Sequence, residues 1–212
     1  MSEQVPVTDA HDRLGAAMRT LADVVARTGA GEADLDAAAA VLAELTERLA
    51  EPDLHRRVHD SPYHAMSLVG GSSHPLAPQL HTEPTGNGGV SGVVALGPTF
   101  EGGPGLVHGG VLSLLFDHAM GQAIYHAGHP AMTVSLEVRY LAPTPLYAPL
   151  TVQAHVERID GRKIYVTGEI SADGTVTATA TGLFVALTRS NVAAIFPADR
   201  LPTSSHIRPH RA

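Results

Sequence analysis

The sequence predicts an α+β domain in which an antiparallel sheet wraps around one buried helix. Two observations carry this. In residues 109–127, Val111, Leu112, Leu115, Phe116, Ala119 and Ala123 form an almost continuous apolar stripe, so the helix must be buried on most of its surface. After it come four segments that alternate apolar and polar residues and are joined by short turns. That is the pattern of an antiparallel sheet with one covered face.

The elements follow in order. Leu14, Met18, Leu21 and Val25 recur at helical spacing, and so do Leu35, Ala38, Leu42, Leu45 and Leu49. Thr28-Gly-Ala-Gly-Glu32 separates the two helices, and Asp34 is a candidate cap for the second. The expectation is an amphipathic hairpin laid over the main domain, with a partner-binding or dimer-extending arm as the alternative. Prolines and glycines between residues 51 and 75 predict a linker or irregular wrap. Val90, Val93, Val94 and Leu96 mark a short strand, and Glu101-Gly-Gly-Pro-Gly105 a loop leading into the buried helix. The four later strands centre on residues 132–140, 150–156, 164–170 and 176–187. Asp160-Gly161 and Asp173-Gly174 serve as hairpin turns, because glycine accepts positive φ. The expected organisation is a helical extension over 1–60, a linker over 61–75, the α+β domain over 76–189 and a tail over 190–212.

Composition narrows the function classes. The chain has 212 residues, 44% of them hydrophobic, with a formal charge of -7 and no long basic run, which disfavours a nucleic-acid surface. No apolar run is long enough to span a membrane, and residues 1–15 lack the pattern of a signal peptide, so a cytoplasmic location is expected. Cysteine is absent, which excludes disulfides, thiolate metal sites and a cysteine nucleophile. The thirteen histidines are scattered without a metal-binding pair such as His-Glu-x-x-His, so no metal and no cofactor are expected.

Chemistry concentrates in Phe100-Glu-Gly-Gly-Pro-Gly-Leu-Val-His108-Gly109-Gly110 and the helix that follows. The first amides of a helix lack internal partners and carry the positive end of its dipole, and glycines let a ligand oxygen approach them. That is the raw material of an oxyanion hole. Two turns later, Asp117 stands in a helix that is otherwise nearly all apolar, where a carboxylate is costly unless it has partners or a task. His108 alone has a simpler reading, which is to fix the turn by hydrogen bonding nearby backbone.

Together these residues resemble the hotdog-fold acyl-CoA thioesterases of the PaaI-like group. In that group a His-Gly-Gly turn opens the central helix and an acid lies nine positions after the histidine, as His108 and Asp117 do here. Met132-Thr-Val-Ser-Leu-Glu-Val-Arg-Tyr-Leu-Ala-Pro143 is similar to the following strand, which begins with a functional Ser or Thr at the position of Thr133. The resemblance spans roughly residues 76–188. It implies hydrolysis of fatty or aryl acyl-CoA without a cofactor. Asp117, Gly109 and Thr133 would be catalytic, His108 and Gly110 would touch substrate, and the sites would lie at interfaces of a homodimer or dimer of dimers. Several relatives carry an Asn six positions before the histidine; here that position is Gly102.

Geometry leads to a shared site independently. Gly109 and Asp117 are eight residues apart on one helix, about 12 Å along its axis, so one carbonyl cannot touch both unless they come from different copies. A rival enoyl-CoA hydratase would need a His five positions after the acid, where Gln122 stands. A second rival is a non-catalytic acyl-CoA sensor with the N-terminal helices as its output surface.

Overall fold

The computed structural model describes residues 9–50 and 67–188. The expected tail over 190–212 and residues 61–66 of the expected linker lie outside the described residues. The elements are α1 (Asp9–Val25), α2 (Glu32–Leu49), β1 (Thr82–Pro84), β2 (Gly89–Ala95), a 3-10 turn (Pro98–Phe100), α3 (Gly109–His126), β3 (Ala131–Tyr140), β4 (Pro149–Asp160), β5 (Lys163–Ala172) and β6 (Thr175–Ala186). The six strands form one antiparallel sheet in the order β1-β2-β4-β5-β6-β3. With α3 packed across one face, this is the hotdog arrangement.

The sheet accepts α3 closely because two strand glycines make room. A Cβ on Gly168 would lie 3.0 Å from Phe116, and one on Gly182 would lie 2.9 Å from the Met120 sulfur. Leu115, Phe116 and Met120 are fully buried there against Leu150, Val152, Ile164, Val166 and Ile170. Large aliphatic and aromatic side chains of this kind each contribute about 1.5–3 kcal/mol when removed from water. Val69, within the segment expected to be linker, also joins this core beside Leu80.

The turns follow their glycines. Asp173 and Gly174 both have positive φ, the conformation of a type I′ hairpin. The β4–β5 turn sits one residue later than expected. Asp160 pairs with Lys163, so Gly161 and Arg162 form the loop, and only Gly161 has positive φ.

Two expectations for the helical extension change. Gly31 is the N-cap of α2, with no side-chain cap, and Asp34 lies inside the first turn. More consequentially, α1 docks through its polar face. Arg19 donates to the backbone oxygens of Ser72 (2.9 Å) and His74 (2.8 Å). The Asp12 carboxylate accepts from Ser72 (2.7 Å) and Ser73 (2.5 Å), and Asp23 accepts from the Thr99 hydroxyl at 2.6 Å. Gly15 permits the approach, since a Cβ there would lie 2.6 Å from the Ser73 carbonyl oxygen. These contacts recur every three or four residues, one face of a helix. The apolar residues occupy the opposite face. Among the described residues, no helix is long and apolar enough to cross a membrane.

Candidate active site

The loop before α3 is held by its own backbone. Gly102 N–H donates to Leu106 O, Leu106 N–H to Gly103 O, and His108 N–H to Phe100 O, all at 2.9 Å. Gly105, at φ 72°, turns its N–H onto the Glu101 carboxylate at 2.6 Å. Gly102 has no room for a side chain, because a Cβ would lie 2.8 Å from His108 Cα. An asparagine side chain at this position therefore does not fit this backbone.

His108 is the N-cap of α3, and its Nδ1 accepts the Gly110 N–H at 3.0 Å. An accepting Nδ1 leaves the proton of the neutral ring on Nε2. Val111 and Leu112 donate to His108 O at 2.9 and 3.3 Å. Of the first four α3 amides, Gly109 N–H alone makes no hydrogen bond among the described residues. The simpler sequence reading of His108, as a turn-fixing residue, matches this geometry. Gly110 contributes its amide to the turn and has no free N–H to offer a ligand.

A residue the sequence reading passed over sits on the same turn. Tyr140, at the end of β3, donates its hydroxyl to Gly109 O at 3.0 Å and lies 3.1 Å from the Ser113 hydroxyl. Ser113 also donates to Gly109 O at 3.2 Å. A Cβ at Gly109 would lie 3.2 Å from the Tyr140 ring, so the absence of a side chain there lets the ring close over the helix start.

Two turns along, the Thr133 hydroxyl donates to Asp117 Oδ1 at 2.7 Å. A bulge makes this contact possible. Thr133 pairs with Phe184 and Ser135 with Leu183, so Val134 is the extra residue on β3. Strict alternation would put Thr133 on the face opposite Leu136, Val138 and Tyr140. The inserted residue re-aims it toward α3. Asp117 is half-buried, with open space one turn later, where nothing lies within 4 Å of a Cβ at Gly121. The neighbouring His118 points elsewhere, toward Gly70 and His81, and burial first of all lowers its pKa below the ordinary histidine value. β3 thus clasps α3 at both candidate positions, Thr133 on Asp117 and Tyr140 on Gly109. Gly109, Ser113 and Asp117 lie four residues apart along that side of the helix.

Comparison with known proteins adds the family. A thioesterase superfamily model matches residues 104–179, from the loop before α3 into β6. A crystal structure described as a thioesterase superfamily protein is 37% identical, with a TM-score of 0.74, and the alignment covers 85% of this chain and 92% of that one. The chain belongs to the thioesterase superfamily. That alignment extends well beyond the matched domain. Curated relatives match a shorter part of this superfamily member. Acyl-coenzyme A thioesterase THEM4 of Bos taurus is 31% identical over 93 residues, 43% of this chain and 38% of its own length. The Xenopus laevis protein of the same name is 34% identical over 93 residues, 43% of this chain and 42% of its own. The chain spans about two-fifths of these relatives' length.

Proposed function

We propose that this thioesterase superfamily member hydrolyses acyl-CoA thioesters at a site shared by two copies of the chain. The observation that carries the reading is the open Gly109 N–H on the same helix as an Asp117 already oriented by Thr133. The names of the curated relatives supply the substrate class. The thioester oxygen takes the Gly109 N–H, and Asp117 of the partner subunit removes a proton from water. The resulting hydroxide adds to the carbonyl carbon, and its oxyanion draws the short hydrogen bond that the helix dipole favours. Collapse breaks the carbon–sulfur bond. The departing CoA sulfur takes up the proton held by Asp117, which restores the carboxylate. With Thr133 on Oδ1, Oδ2 is the oxygen left to face water. His108, whose Nδ1 is engaged by Gly110 N–H, lies beside the same first turn and leaves Nε2–H for a second contact to substrate.

The need for two copies follows from the roughly 12 Å between Gly109 and Asp117 along α3. The edge of the sheet supports it. β3 is a terminal strand of ten residues, with Met132 43%, Val134 59% and Tyr140 55% exposed. A long, partly apolar free edge invites pairing with another strand. The test is release of free thiol from a panel of fatty and aryl acyl-CoAs. Turnover on at least one of them, lost in Asp117→Asn, is the expected result. Acyl-CoA binding with no thiol release on any of them would overturn the proposal in favour of a non-catalytic binder.

A further inference from the structure

The two N-terminal helices present their apolar faces outward. On α1, Asp12, Gly15, Arg19 and Asp23 hold the domain, while Leu14, Met18 and Leu21 lie roughly 150° around the helix at about 100° per residue. On α2, Leu35, Leu42 and Leu45 lie in one stripe, and no residue of that helix is buried. Ten large apolar side chains are exposed on the pair, five on each helix, so the two stripes do not cover each other. Polar bonds to the domain leave α1 no freedom to roll its apolar face inward.

We infer that these two stripes are an interface between copies of this chain. Three observations select a second copy as the occupant. First, both stripes step by alternating threes and fours (14, 18, 21, 25 and 35, 38, 42, 45, 49), the spacing of a seam that receives another helix. Neither seam is longer than about two heptads, too short for an isolated pair, whereas two helical hairpins from two copies form a four-helix bundle. Second, at about 80 Å² each, the eight large side chains of the two stripes offer roughly 640 Å² per copy, and about 1,300 Å² per pair lies within the roughly 1,200–2,000 Å² of a stable interface. Third, α2 carries five acidic residues and one arginine, which opposes adsorption to an anionic lipid surface. The contact does not depend on the chemistry proposed at Asp117.

The absence of cysteine makes the surface simple to probe. Leu21→Cys and Leu42→Cys chains, mixed and treated with a short bis-maleimide, should form a covalent pair. Ala40→Cys, on the far side of α2, should not. In sedimentation, Leu21→Glu/Leu42→Glu should halve the mass of the assembly formed by the full-length chain or raise its dissociation constant at least a hundredfold. Three results would each overturn the inference: the double variant sedimenting like the parent across the concentration range, seam cysteines that resist maleimide because their own chain covers them, or Leu21- and Leu42-dependent flotation with phosphatidylcholine vesicles.

Discussion

Asp117 and Gly109, the proposed base and donor, are each touched by a residue from β3. Asp117→Asn should lower kcat by about 10²–10⁴-fold, the usual contribution of a general base, while leaving the melting temperature and CoA affinity near their original values. A loss below tenfold would remove Asp117 from that role. Tyr140→Phe tests the other end. Losing the 3.0 Å bond to Gly109 O should cost about 1 kcal/mol of stability and reduce kcat by less than the ~10²-fold expected for an oxyanion donor itself. An unchanged kcat with normal KM would show that the ring does not position the turn. The sequence exposed Asp117 and the glycines because an acid on an apolar helix and glycines at its start break local rules. Thr133 was legible through its resemblance to a family strand, but not through periodicity, since the bulge at Val134 reverses its face. Tyr140 and Ser113 were missed because both fit their elements. A tyrosine in an alternating strand and a serine four residues after Gly109 give no local sign that they converge on one carbonyl.

At the scale of elements, α1 shows what an amphipathic pattern can and cannot say. The spacing located the helix correctly, yet an apolar stripe marks only which side of a helix is apolar, not what that side meets. The domain holds the other side through Asp12, Gly15, Arg19 and Asp23. The hydroxyls of Ser73 and then Ser72 hold the Asp12 carboxyl below the ordinary carboxylate pKa. A group with a depressed pKa in the folded state adds stability above its unfolded pKa, and that contribution disappears as pH falls through the folded value. Docking of α1 should therefore be intact at neutral pH and weaken below the usual carboxylate range. Amide exchange of α1, corrected for intrinsic rates, should show protection lost under acid, and Asp12→Ala should lose it at neutral pH too. Equal protection of both proteins at both pH values would mean that the serine–aspartate contacts do not hold the helix. Gly15→Leu provides an independent check, since its Cβ would fall 2.6 Å from Ser73 O and force α1 off the domain.

At the scale of the whole molecule, helix rise separates Gly109 from Asp117 by about 12 Å, so the proposed site draws the two from different chains. Complementation between inactive variants tests this. One variant is Asp117→Asn. The other is Gly109→Pro, which removes the proposed donor, and proline is compatible with a first helical position. The structure adds one condition. A Cβ at position 109 lies 3.2 Å from the Tyr140 ring, so the half-exposed ring must shift by a few tenths of an ångström, and the variant must be shown to keep its secondary structure. In a mixed dimer, one site would combine both defects, the proline-bearing turn and the missing carboxylate. The other would combine an unaltered Gly109 with an unaltered Asp117. With random exchange, half of all dimers are mixed, and each has one working site out of two. About a quarter of the parent activity should therefore return on mixing the two proteins equally. Subunit exchange can be followed separately by mass-tagging one variant. If exchange is complete and the mixture remains inactive, Gly109 and Asp117 do not meet across a two-fold axis, and either the donor or the base has been assigned to the wrong residue.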